Sequence, residues 1–573
     1  MVTFVLQLPF EIIKIMKHIL STIIFSLTMS TLLSDEMRIP YGDPTNVEQW
    51  KTYRKTVIHP CVSFKTEDLI RAKKNIENHD WARNYANNLS KNADKIAEQM
   101  TKEFLDMMVE ITTAGGTTPC PACRDKGLRW LPNNNWQWSV STPNQIRCPH
   151  CGTVYPNDKY PETIKVQSKW DPRQVFTFID VEPFPCFGYK QSMSNPSGII
   201  RASKVGYVFK QLDTLSTSYA LNGKIEHAEA IKRILLKIAE VLPHYLVRVG
   251  YTYNEYADCD PHIACMKIND LPTDEIVAPP NKPDRSLWTG YWSASRFHTQ
   301  GMDGGTAVTF ANAYDITYNA TYPDGRPLYT EEERLIIEKD VLLESALLAC
   351  GDTKINNKSV GNRAGAAAVG MALGMPDLIR FGLDGFVKTV EDWFLPDGTT
   401  SESAGYGLMT MGGIHSFPYI FRDYTEPEDY IPPQGSARLQ HFDACRDTNY
   451  GTCWQSFAWT LQGNLFYPPL ADSRKTTSLG GTYTELIALA YPTDENISLL
   501  HAIAGKKPNG TQRAAIFNRG TLQDAKNIGM MDNDNTVTKP IFNRNEDEKA
   551  KPFVCHDIVF PFLAQGMFRL GAR

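Results

Sequence analysis

At 573 residues, with 42% hydrophobic and 21% charged side chains, the chain is long enough to bury a large core across two or more structural units, and it is neither disordered nor fibrous. A formal charge of −5 supplies no global basic field, so nucleic acid is excluded as an expected partner. An anionic ligand would have to meet local Arg and Lys in a cleft, and an aromatic share of 11% provides stacking surfaces for sugar rings.

Residues 1–35 read as an extension followed by a signal peptide. Met16-Lys17-His18 precedes the apolar run Ile19–Leu33, a basic start before a hydrophobic stretch too short for an ordinary membrane span. Export to the periplasm or beyond is expected, with no membrane association in the mature form. Residues 36–114 are expected to be an N-terminal helical segment, because Asp68–Ile76 and Ala93–Met100 carry apolar residues at spacings of three and four. Between 115 and 195 Gly, Pro, Asn, Trp and Cys rise and helical periodicity disappears, which marks an insertion. Helical patterns return over 196–470, in Lys224–Leu242, Glu331–Ala349, Arg363–Leu373 and Leu378–Trp393. Gly, Pro or Asn-Asp clusters separate them, as in stacked helical hairpins. Over 471–573 the helices fade. Thr511–Asn518 and Asp557–Leu563 read as strands, and Gly566–Gly571 as a strand that opens a β-domain the chain does not finish.

Inside the insertion, Cys120-Pro-Ala-Cys123 and Cys148-Pro-His-Cys151 form two CxxC knuckles. Four thiolates at this spacing suit a tetrahedral Zn²⁺, and Gly152 suits the tight turn that follows the last ligand. A closed four-cysteine site has no open coordination position, so the metal would be structural. Two disulfides are the alternative in an exported protein. His150, inside the second knuckle, reads as a bystander.

Three further segments carry residue types for carbohydrate chemistry. Trp288, Trp292, Arg296, His298 and Gln300 lie within thirteen residues; they suit a groove wall that stacks on sugar rings and hydrogen-bonds their hydroxyls, or else ordinary helix packing. Asn357, Asn362 and Arg363 precede the small-residue helix Ala364–Gly374, where they would bind a sugar carboxylate or cap the helix. Phe394–Tyr406 joins an Asp-Gly turn, Glu402 and the lone Tyr406, a plausible place for proton chemistry. Glu402 reads as an orienting or sugar-binding group, with a structural salt bridge as the alternative.

Lys354–Lys358, the Ala/Gly helix ending at Met375-Pro-Asp, and Trp393–Tyr406 together resemble the toroid domain of the heparinase II/III-like polysaccharide lyases. Thr309–Ile316 resembles that family's Ala-Tyr-Asp helix, and Pro469–Ser473 its Gly-Asp-type loop. The likeness covers about residues 200–480. It implies a mainly α fold: an incomplete (α/α) toroid with a zinc-ribbon-like insertion and the start of a C-terminal β-sandwich. It also implies β-elimination on a uronic-acid-containing glycan, with Tyr406 as the tyrosine acid/base and Asn357 or Asn362 neutralising the substrate carboxylate. His298, His415 and His441 are eligible as partner histidine. The family's Asn-His pair is replaced, since Lys358 and Arg363 follow the candidate amides. Two other readings compete: a glycoside hydrolase using Asp397 and Glu402 as its carboxylate pair, and a non-catalytic glycan-binding protein.

Overall fold

The computed structural model describes residues 43–113, 118–128, 135–168, 170–181, 185–186, 189–190, 194–248, 258–259, 261–262, 295–297, 303–357, 359–400, 402–471 and 473–520, with the strand pair 558–560 and 565–567. The expected signal peptide lies outside these residues, as do Trp288, Trp292, His298 and Gln300. Among the described residues helix accounts for 55% and strand for 5%, so the expectation of a mainly α protein holds.

The N-terminal segment forms helices α1 (Val47–Tyr53), α2 (Thr66–Asn78), α3 (Asp80–Gln99) and α4 (Lys102–Met108). Asn46 and Thr101 cap α1 and α4 by accepting the backbone N–H three residues on, the role their short polar side chains favour. The insertion holds the short helix α5 (Pro121–Asp125) and an antiparallel sheet β1 (Gln137–Trp138), β2 (Ile146–Arg147), β3 (Val154–Tyr155). A second pair, β4 (Ile164–Gln167) and β5 (Val175–Phe178), follows with Ile164 opposite Phe178. The helical array then runs through α6 (Pro196–Asn222), α7 (Ile225–Val241), α8 (Gly304–Thr317), α9 (Glu331–Ile337), a wider turn Glu338–Leu343 and α10 (Glu344–Cys350). It continues with α11 (Ser359–Leu373), α12 (Pro376–Lys388), α13 (Ala404–Gly413), α14 (Phe417–Ile420), α15 (Tyr450–Thr460), α16 (Gly481–Ala490), α17 (Asp494–Ile503) and α18 (Gln512–Asn518). Consecutive helices turn back on each other: α6 on α7 and α11 on α12. Gly223 and Gly374 make those reversals at φ +65 and +65, a backbone region that glycine enters without steric cost.

The N-terminal helices are fastened to this array by buried carboxylates. Glu338 in the wide turn accepts from Trp50 Nε1 (2.8 Å), Arg54 Nη2 (2.9 Å) and Tyr314 OH (2.6 Å). Asp315 accepts from the backbone N–H of Cys61 and Val62 and bonds His59 Nδ1 at 2.6 Å. A buried charge is tolerable only when so surrounded. Tyr314 and Asp315 of the Ala-Tyr-Asp helix are therefore structural.

α8 and α11 meet backbone to backbone. A Cβ on Gly304 would stand 2.3 Å from the Gly361 carbonyl oxygen, and one on Gly365 would stand 2.7 Å from Gly304 Cα. Small residues give this close approach, as the Ala/Gly composition led us to expect. Gly304→Ala should lower stability by about 1–3 kcal/mol or more, since main chain rather than a flexible side chain must yield; a thermal melt within error of wild type would contradict this packing.

Two boundaries differ from the sequence reading. α11 begins at Ser359 rather than Ala364, because Asn356 Oδ1 accepts the Ser359 N–H at 3.0 Å and starts the helix a turn earlier. Thr511–Asn518 is not a strand: Gln512–Asn518 is helical, and α16 and α17 also lie beyond residue 470. Asn75 Nδ2 donates to the Ile516 and Arg519 carbonyls at 2.9 and 2.6 Å, closing the C-terminus of α18 from a helix more than four hundred residues earlier. The late strand pair is present, with Ile558 opposite Met567.

Candidate functional site

Three loops meet at the start of α13. The Asp-Gly turn places Gly398 at φ +75, where a Cβ would stand 2.2 Å from the Thr452 carbonyl oxygen. Ser456 Oγ donates to the Gly398 carbonyl at 2.6 Å, pinning this loop to α15. Asp397 Oδ1 accepts from the N–H and hydroxyl of Thr399 at 3.2 and 2.6 Å, which makes it a turn former. Ser403 caps α13 by accepting the Tyr406 N–H. Glu402 Oε2 accepts from Asn357 Nδ2 at 3.3 Å, which joins the amide loop to the Asp-Gly loop. The Gly405 N–H donates to Ser473 Oγ at 3.1 Å, bringing in the third loop, Pro469–Ser473. Tyr406 stands in the first turn of α13 and is 38% exposed.

The other sequence candidates fall elsewhere. Asn362 is buried: its Oδ1 accepts the Gly304 N–H at 3.1 Å and its Nδ2 donates to Asp352 at 3.3 Å. It is corrected from carboxylate neutraliser to helix-packing residue. Arg363, expected to bind substrate, is buried over the Phe381 ring at 3.9 Å. It donates to the carbonyls of Asp352, Phe381 and Thr353 at 3.0, 2.6 and 3.1 Å. Both follow from the early helix start, which turns positions 362 and 363 inward. Arg296 is likewise buried, donating to the Tyr245 carbonyl (2.9 Å) and to Glu344 (3.0 Å); it is a structural clamp and not part of a groove wall. His415 lies just beyond the C-terminal end of α13, whereas Tyr406 stands in its first turn. Burial pushes its imidazole down to about 4. His441 sits on an exposed loop, paired through Nδ1 with Asp423 at 2.7 Å. Ser473 and Asn356 were not singled out as functional. Their roles depend on loops that only the fold brings together.

In the insertion, Cys120 Sγ lies 3.6 Å from Cys151 Sγ and Cys123 Sγ lies 3.5 Å from Cys148 Sγ. All four sulfur atoms fall within 4.8 Å of one another. A disulfide needs about 2.05 Å, and none of these four cysteines forms one. Four bonds of about 2.3 Å in a tetrahedron give sulfur separations of about 3.8 Å, so the cluster fits a metal. Gly152 after the last cysteine adopts φ +74, as the knuckle turn requires. Tyr155 OH, 3.3 Å from Cys120 Sγ, orients one ligand from β3. Burial pushes the Cys120 thiol up to about 12, a shift that a coordinated cation reverses. His150 is exposed and stands aside.

Compared with protein-family models and with curated protein sequences, the chain has no match. The functional reading therefore rests on the geometry above.

Proposed function

We propose that this chain is a polysaccharide lyase that cleaves a uronate-containing glycan by β-elimination. We read its helices as an incomplete (α/α) toroid of the heparinase II/III-like type, its cysteine cluster as a structural zinc-ribbon-like site, and the protein as exported. One observation carries the proposal. The Asn357–Glu402 contact at 3.3 Å brings an amide donor to the mouth of the loop that presents a half-exposed tyrosine.

A uronate C5–H is acidified by its carboxylate, and removing the proton builds charge onto that group. A donor such as Asn357 aimed at the carboxylate stabilises that charge by roughly 3 kcal/mol. Tyr406 as phenolate takes the C5 proton. Its phenol then returns a proton to the leaving glycosidic oxygen as the C4–O bond breaks and the C4–C5 double bond forms. A free tyrosine titrates near ~10, so the base needs positive charge beside it. Arg363 is committed to carbonyls, and His298, which the sequence offered for this role, lies outside the described residues. Glu402 holds the Asn357 amide in place.

Purified protein incubated with alginate, heparan, chondroitin and ulvan should generate ultraviolet absorbance from the unsaturated product on at least one of them. New reducing ends without absorbance would mean hydrolysis instead, and binding without either would mean a glycan-binding protein. The two asparagines separate cleanly. Asn357→Ala should lower kcat/KM by about 10²-fold or more with an unchanged melt. Asn362→Ala should first lower the melting temperature, because it leaves the Gly304 N–H without its acceptor in the core and takes one donor from Asp352.

A further inference from the structure

A cavity of about 460 Å³ opens between the loop after α1, the start of α2, the C-terminal end of α11 and the loop after α14, within the size range of small-ligand pockets. It lies at the opposite end of α11 from the Asn357 loop. Lys65 lines it and is half-buried, so this side chain keeps accessible surface there. Its ammonium donates to the Cys61 carbonyl and, at 3.2 Å, to the Ile420 carbonyl. An ammonium has three donors, so one N–H is left over, and neither partner carries a charge. The carboxylates nearby are already taken. Asp68 is held by Arg71 at 2.9 Å and by Arg422 at 2.7 Å. Asp315 is met by His59 and by the backbone N–H groups of Cys61 and Val62. Arg71, Arg422 and Lys65 thus stand against Asp68 and Asp315 alone, which leaves a positive charge uncompensated beside the cavity. Burial, with the Arg422 guanidinium adding to it, holds the Lys65 amine below its ordinary value. Such a cation is costly until an anion meets it.

The rest of the wall sets the kind of anion. Val57, Met371, Ile379 and Ile420 give it an aliphatic lining, and Ile58 lines it while 86% exposed. An inorganic anion would leave that surface in water, whereas a hydrocarbon chain buries it. The acids on the lining do not compete for the ammonium. Asp423 pairs with His441 Nδ1 at 2.7 Å, and Glu67 is exposed, where water and salt screen its charge.

We propose that this cavity binds a carboxylate with an aliphatic chain, one carboxylate oxygen accepting the remaining Lys65 N–H and the chain lying against Val57, Met371, Ile379 and Ile420. The inference goes beyond the elimination chemistry and needs neither Tyr406 nor Asn357. Calorimetric titration of the full chain with octanoate, octanol and acetate tests it. Octanoate should bind saturably, about tenfold or more tighter than octanol, which lacks the charge, and than acetate, which lacks the chain. Lys65→Met keeps the apolar length of the side chain; it should bring octanoate down to the affinity of octanol and leave octanol within about twofold. Thr66→Trp, which fills the cavity from an exposed position on its lining, should weaken octanoate by about tenfold or more with an unchanged melt, so the test survives if Lys65→Met misfolds. Tyr406→Phe should leave octanoate within about twofold, whatever it does to elimination. No saturable octanoate binding at millimolar concentration, octanol or acetate binding as tightly as octanoate, an unaltered octanoate affinity in folded Lys65→Met or in Thr66→Trp, or a loss in Tyr406→Phe would each overturn the proposal.

Discussion

Tyr406→Phe should reduce kcat/KM for uronate elimination by about 10²–10⁴-fold, the usual contribution of a positioned acid/base group, without altering the fold. The second half of that expectation follows from the structure. Tyr406 is bound into α13 through its backbone, which donates to Ser403 Oγ and accepts from Thr410 Oγ1 at 3.1 Å. The side chain is 38% exposed, so removing one oxygen should shift stability by no more than about 0.5 kcal/mol. The measurement is the initial rate of ultraviolet absorbance on the best polymer, beside a thermal melt of each variant. A Phe variant that turns over within threefold of wild type ends the assignment of the tyrosine as base.

The second large effect is expected at the cysteine cluster. Purified protein should carry about one equivalent of zinc per chain by elemental analysis, and Cys148→Ser should release it. Structural zinc contributes about 10–16 kcal/mol of apparent binding free energy in small modules, far more than a sheet of two-residue strands can supply. Metal loss should therefore open residues 118–160 to proteolysis and hydrogen exchange. The helical array should keep most of its circular dichroism, because its own core, centred on α6, α7, α8 and α11, does not include the cysteines. Metal-free protein of full stability, or a Cys120–Cys151 disulfide found by mass spectrometry, would refute a structural metal.

What the sequence made legible followed the range of the interactions. The knuckles could be read because their ligands are three residues apart and their turn glycine is adjacent, so the geometry is local. The long helices α7 and α12 carried their own periodicity. Asn362 and Arg363 misled because a polar pair before an alanine-rich run looks like a helix start facing solvent. In the fold the Asn356 cap starts the helix earlier, and the guanidinium closes carbonyls in the core. α18 reads as a strand in the sequence because it is short. Its cap comes from Asn75 and its packing from α2, and no window of neighbouring residues contains either. The meeting of Asn357 with Glu402 was legible only as two separate motifs. The fold supplied their contact.

Glycines 304, 361, 365 and 413 put main chain against main chain where α8, α11 and the end of α13 cross; Gly361 and Gly413 come within 3.8 Å of contact at the Cβ position. At the α8–α11 crossing the atoms nearest the Cβ positions of Gly304 and Gly365 are main chain, whereas at the α11–α13 contact Val360 Cγ2 stands 3.1 Å from the Cβ position of Gly413. The spacing of α8 from α11 is thus cast in the backbone, and little room is left there for a larger side chain. On the proposed function, adaptation to a different glycan, whether by natural variation or by laboratory selection, would fall to the loops at 354–357 and 469–471, and a library aimed there should change preference while one aimed at the crossing should mainly lose expression.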